Sequence, residues 1–186
     1  MSKRTPILKR AVASVFVAIM LASPLAAQSE RVDELLAELA EAEQGEAARI
    51  EAELWVEWSR SGSASVDLLL QRGREALEEE DVKAAIEHFT AVVDHAPDFA
   101  EGYNARATAY HRAGLYGPSM NDIGMALSLN PNHFGAMSGL AIVMEELGFE
   151  EEALDALRQV EAIYPAREGL EEQIERLEAR LGGSTL

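Results

Sequence analysis

Apolar and small residues recur along most of this chain at spacings of three and four, the period that places side chains on one face of a helix. Leu69, Gly73 and Ala76 form one such set, and Ala85, Phe89 and Val92 form another. Moving 34 residues along gives Tyr103, Ala107 and Tyr110, then Ser119, Ile123 and Ala126. A second step of 34 gives Met137, Ala141 and Met144, then Ala153, Leu157 and Val160. Similar residues thus fall in matching columns. The small positions have a physical reason, because two helices approach closely only where a side chain is nearly absent. The pattern predicts three helix pairs, at 66–99, 100–133 and 134–167.

Punctuation follows the same period. Pro97, Pro131 and Pro165 stand 34 residues apart and end each unit, since the residue before a proline disfavours helix. Within the units the turns are signalled by Glu80-Asp81, Gly114 and Gly148, and glycine accepts the left-handed conformation that closes a helix. Pro118 falls in the first turn of a helix, where a missing N–H costs nothing.

Two further amphipathic stripes precede the repeats. Val32, Leu35, Leu36, Leu39 and Ala42 form one, and Ala47, Ile50, Leu54, Trp55 and Trp58 the other, with Gln44-Gly45 between them. They predict a helical hairpin over 30–60, joined to the repeats by Ser59-Arg60-Ser61-Gly62-Ser63. Its apolar faces suit a degenerate repeat that caps the array, or a pair of helices that dimerises the chain. After Pro165 one more helix is expected, with its body at 168–181, burying Leu170, Ile174, Leu177 and Leu181 and ending at Gly182-Gly183.

These columns resemble the tetratricopeptide repeat, a 34-residue helix-turn-helix unit. The resemblance covers residues 66–167 and implies an all-α, right-handed α-solenoid, here with the N-terminal helical hairpin and a C-terminal capping helix. Four positions depart from the family pattern: Arg72 and Arg106 replace leucine, Ala76 an aromatic and Ser119 alanine. In that family the first helix of each unit lines a concave groove that holds a partner polypeptide. The matching residues are Leu70, Arg74 and Leu77, then Asn104, Thr108 and His111 with the adjacent Arg112, then Ser138, Ile142 and Glu145. Some members clamp a chaperone tail with Lys and Asn on these helices. Here Leu70, Arg74, Ala105, Gly135 and Gly139 occupy the corresponding places, which disfavours that ligand.

The first 27 residues stand apart. Lys3, Arg4, Lys9 and Arg10 precede an apolar run from Ala11 to Leu21 and then Ser23-Pro24-Leu25-Ala26-Ala27, the layout of a secretory signal peptide. Cleavage after Ala27 is expected, with Ala26 as the alternative, and export to a bacterial periplasm. The competing reading is an inner-membrane anchor over 11–27, which is short for the roughly 20 residues that span a bilayer.

Charge narrows the partners. The chain carries −17, and the leader holds four of its 16 basic residues and none of its 33 acidic ones, so the remainder is more acidic still. Such a surface repels nucleic acid and anionic lipid. The absence of cysteine excludes disulfides and thiolate metal sites. No nucleophile motif, metal box or phosphate loop occurs, and His88, His95, His111 and His133 read as surface or interface residues rather than ligands. No catalytic residue, metal or cofactor is therefore expected. The expected function is to bind another protein or peptide in the groove, as a monomer. Docking or dimerisation through the hairpin is the alternative.

Overall fold

The computed structural model describes residues 24–183 of the chain, with side chains from residue 29. The expected leader lies outside the described residues except for its last four, whose backbone opens the first helix. Helices α1 (Pro24–Glu41) and α2 (Gln44–Trp58) form the N-terminal hairpin. The repeats follow as α3 (Ala64–Glu78) with α4 (Val82–His95), α5 (Ala100–Arg112) with α6 (Tyr116–Leu129), and α7 (Phe134–Glu146) with α8 (Glu150–Ile163). Helix α9 (Leu170–Gly183) ends the array. No strand occurs among the described residues, and none of their helices is long and apolar enough to cross a membrane.

Each pair closes on its small-residue column. In the first repeat a Cβ on Gly73 would overlap the Phe89 ring, so that fully buried ring occupies the space a side chain would need. Ala107 and Ile123 share a cluster in the second, where the Ser119 hydroxyl donates to the Ala107 carbonyl at 2.8 Å. That bond accounts for serine at a position the family gives to alanine. Arg106 is explained likewise: its Nε and Nη2 donate to the two Asp122 carboxylate oxygens at 2.6 and 2.9 Å, across the α5–α6 contact. Arg72 is exposed, and nothing in the structure explains its replacing leucine.

Three turns at equivalent places carry positive φ: Glu80 at 62°, Gly114 at 70° and Gly148 at 81°. Glu80 lacks a glycine's freedom there, and a side chain in that region costs roughly 1–2 kcal/mol. The next residue, Asp81, offsets part of this by accepting the Ala84 N–H at 3.0 Å as the N-cap of α4.

Three expectations need correction. The hairpin turns at Ala42-Glu43, and Gln44-Gly45 is already helical, because the Glu43 carbonyl accepts the N–H groups of Glu46 and Ala47 at 3.0 and 2.8 Å. Helix α9 starts at Leu170 and continues through Gly182 and Gly183, since Gly169 at φ 72° first redirects the chain after Pro165. The largest difference concerns the hairpin's position. It does not extend the array ahead of the first repeat but folds back to the third.

There Leu35, Leu39, Ile50, Leu54 and Trp58 enter one core with Phe134 and Met137 of α7, Leu157 and Val160 of α8, and Ile174 and Leu177 of α9. Burying each large apolar side chain contributes about 1.5–3 kcal/mol, which is why the hairpin stays on the repeats rather than standing off as a separate pair. The Tyr164 hydroxyl adds a polar tie, donating to Glu51 Oε2 at 3.1 Å across 113 residues of sequence. Burial and the neighbouring Glu51 carboxylate push that phenol up to about 12, so it remains a donor throughout the ordinary pH range.

Two outcomes follow for stability. Phe89→Ala should lower the unfolding free energy by about 3–5 kcal/mol, and Ala85→Leu by roughly 1–3 kcal/mol through overfilling the contact. Glu80→Gly should raise it by about 1 kcal/mol through relief of the left-handed strain. Denaturant midpoints of the three variants check both.

Candidate functional site

The concave side of the repeats holds a carboxylate that the sequence pattern does not mark. Glu101, in the first turn of α5, is only 4 % exposed. Its Oε1 accepts from Arg74 Nη2 of α3 at 2.5 Å, and its Oε2 accepts from Asn104 Nδ2 at 2.9 Å and from His133 Nε2 at 3.0 Å. His133 is the N-cap of α7, so one side chain links the first helices of all three repeats. Burial pushes the Glu101 carboxyl up, yet the His133 hydrogen bond and the nearby charges outweigh it and hold the group below its ordinary value.

The histidine is not a surface residue: it is fully buried, and both of its nitrogens are committed. The Ala136 N–H donates to Nδ1 at 3.2 Å, capping α7. Nδ1 therefore acts as acceptor, and Nε2 carries the hydrogen given to Glu101. The ring face stacks on Trp58 at 4.6 Å between centroids and an interplanar angle of 20°, and Trp55 meets it edge-on at 5.6 Å. The hairpin is thus docked on the same histidine that fixes the repeats.

Beside this network lies a cavity of about 380 Å³. Trp55, Leu77, Phe89 and Ala105 give it apolar walls, and Ser59, Arg74, Asn104 and Thr108 a polar rim. A smaller cavity of about 90 Å³ continues along the face, bounded by Asn104, Thr108, His111, Ile142 and Val143. The two share Asn104 and Thr108, so a path crosses α3, α5 and α7.

Of the residues expected in the groove, Leu77, Asn104, Thr108, His111 and Ile142 line these cavities. Leu70 and Ser138 do not belong there. Leu70 is 1 % exposed and packs in the core of the first repeat, whereas Ser138 is buried with its hydroxyl on the Phe134 carbonyl and on Arg167. The expected cations are also engaged. Arg74 reaches the cavity but serves Glu101 and Ser59, and Arg112 lies outside the lining, its Nη1 donating to the Leu77 carbonyl at 2.9 Å. His111 Nε2 lies 2.9 Å from Glu146 Oε2, and hydrogen bonds from His111 and Tyr116 hold that carboxyl low despite some desolvation. Glu145 is taken by Arg176 and Arg180 of α9. Among the described residues no group of three or more His, Asp or Glu side chains could hold a metal ion.

No family model matches the chain. A TPR repeat-containing protein of Rhizobium etli is 36 % identical over 156 residues, covering 83 % of this chain and 76 % of its own length. The chain belongs to the tetratricopeptide-repeat family. The small glutamine-rich tetratricopeptide repeat-containing protein 2 of Saccharomyces cerevisiae is 30 % identical over 97 residues, which is 52 % of this chain but 28 % of the yeast protein. The tetratricopeptide fold is matched in solved structures too. The Sgt2 TPR domain of Aspergillus fumigatus aligns with a TM-score of 0.62 at 18 % identity, over 66 % of this chain and 83 % of that domain. The first TPR of Spaghetti (RPAP3), bound to an HSP90 peptide, aligns with 0.60 at 21 % identity, over 63 % and 93 %.

Because the Glu101 carboxyl is lowered on folding, its stabilising contribution is complete above the ordinary value of 4.5 and is lost as pH falls through the lower folded value. Thermal unfolding should therefore show an acid-side loss of stability that is smaller in Glu101→Gln. Glu101→Ala at neutral pH should cost at least roughly 2 kcal/mol, since it orphans the buried His133 donor while Arg74 can turn to water. Unfolding curves from about pH 7 to about pH 3, a window spanning the carboxylate range, test the pair.

Proposed function

We propose that this tetratricopeptide protein is an exported binding module that holds an extended segment of a partner polypeptide along its concave face. The observation that carries the reading is the continuous path of two cavities, which meet at Asn104 and Thr108 on the first helix of the middle repeat. Polar groups at intervals over apolar walls suit a peptide backbone with side chains in pockets. The first TPR of Spaghetti is seen with an HSP90 peptide and the second TPR domain of human RPAP3 with an HSP70 peptide, which supports a polypeptide as the class of ligand. Leu70, Arg74, Ala105, Gly135 and Gly139 stand at the places of the Lys and Asn clamp used for chaperone tails, which disfavours that ligand here.

The basic start, apolar run and Leu25-Ala26-Ala27 support export to a periplasm. The hairpin as a dimerising device has less support, because the stripe that motivated it lies buried on the third repeat. A monomer is the corresponding expectation in solution.

Two measurements test these readings. Thr108→Arg combined with Ile142→Ala should weaken capture of an envelope partner by at least about 1 kcal/mol, while Glu87→Ala and Asp155→Ala on the outer helices should change little; controls that abolish capture while the groove pair does not would place the partner elsewhere. Protein recovered from its own cell envelope should begin at Gln28 or Ala27 by intact mass, and a chain starting at Met1 in the cytosol would defeat the export reading.

A further inference from the structure

Gly135 lies in the first turn of α7, and a Cβ placed on it would lie 2.5 Å from Trp55 Cη2 and 3.0 Å from Cζ2. The shorter distance is inside any real carbon contact, so the indole stands in the volume that a side chain at 135 would claim. Trp55 comes from α2, yet it forms a wall of the cavity of about 380 Å³ on the repeats. It is held there from three sides, edge-on to Trp58 at 5.7 Å, to His133 at 5.6 Å and to Phe134 at 5.9 Å. Leu77, Phe89 and Ala105 supply the apolar wall from the repeats. The hairpin and the repeats line this space together.

The charges around the space are balanced. Arg74 is the cation of the rim and Glu101 its counter-ion at 2.5 Å, while His111 further along is paired with Glu146. Arg112 lies on the carbonyl end of α3, where Glu78, Glu79, Glu80 and Asp81 follow in sequence. A neutral lining on a chain of net charge −17 gives an anionic segment no cation in surplus and a repulsive field on approach. A cationic segment is drawn in by the same field, and its apolar side chain leaves water for the apolar walls.

We propose that α2 completes the binding groove, with Trp55 closing an anchor pocket for a large apolar side chain of a partner segment that carries positive charge. This rests on the groove reading above and adds the occupant's chemistry and the hairpin's part in selecting it. Gly135 is then a positioning residue, acting through Trp55.

Calorimetric titration of the purified chain with capped heptapeptides provides the test. The probes are Lys-Lys-Gly-Phe-Gly-Lys-Lys, the same peptide with Ala for Phe, and the same peptide with Glu for every Lys. The first should bind at least about tenfold tighter than either other probe, a gap of roughly 1.4 kcal/mol, and added salt should narrow its lead over the Glu probe. Trp55→Ala and Gly135→Ala should each weaken the first probe at least about tenfold, with circular dichroism confirming a folded chain. Ala105→Leu, which fills the pocket from the repeat side, should do the same and stands in if the hairpin variants unfold. Equal or tighter binding of the Glu probe, binding indifferent to the Phe anchor, or full affinity in folded Trp55→Ala would overturn the proposal. So would failure of all three probes to bind; in each case continued sensitivity of partner capture to Thr108→Arg with Ile142→Ala would leave the groove reading standing.

Discussion

A carboxylate buried to the extent of Glu101 can remain ionised only if its lone pairs are taken, because an unpaired charge away from water costs several kcal/mol. Its three partners stand on or beside three successive first helices: Arg74 on α3, Asn104 on α5 and His133 as the N-cap of α7. Ordinary solenoid repeats touch only their neighbours, and their relative rotation is set interface by interface. Here one side chain spans both interfaces. A change in the angle between any two units would pull a donor from the carboxylate, so the curvature of the array and the ionisation of Glu101 constrain each other.

The same constraint extends to the hairpin through His133. With Nδ1 occupied by the Ala136 N–H and Nε2 by Glu101, the ring is held in one orientation, and its face becomes a fixed platform for Trp58. The hairpin's apolar stripe completes the core of the third repeat and α9. Chain ends in a solenoid ordinarily fray because each has a neighbour on one side only. The fold-back gives the last repeat a second covering and ties α2 to the end of α8 through Glu51 and Tyr164. Contacts this distant in sequence add loop-closure entropy to the cost of folding, which the large buried side chains offset.

Much of this is legible in the sequence, and for a definite reason. A repeat written three times identifies its columns, so Gly73 with Phe89, the turns at Gly114 and Gly148, and the turn at Glu80-Asp81 can be read from spacing. The departures at Arg106 and Ser119 can be noticed but not explained, since Asp122 and the Ala107 carbonyl are brought to them by packing. Spacing of four and three places Leu70 and Ser138 on one face of their helices without saying what covers that face. The fold-back is illegible altogether: an amphipathic stripe states that a surface must be buried, not against what. Glu101 and His133 are likewise hidden, because a polar residue reveals its burial only through partners. Arg74 lies 27 residues from Glu101 and the histidine 32. Two tryptophans on one short helix are the available signal, as so much aromatic surface is seldom left to solvent.

The groove's character follows from how these groups are committed. Had Arg74 and Asn104 been unencumbered, the rim would offer donors and a net positive charge to an incoming carboxylate. Their engagement with Glu101 leaves the rim polar but neutral, and the walls decide the affinity. Gly135 sharpens the point. A side chain at that position would exclude Trp55 by direct overlap and would stand where the indole now closes the cavity. Its absence admits an aromatic wall from elsewhere in the chain. One missing Cβ thereby makes room for one of the groove's apolar walls and couples its shape to the docking of the hairpin.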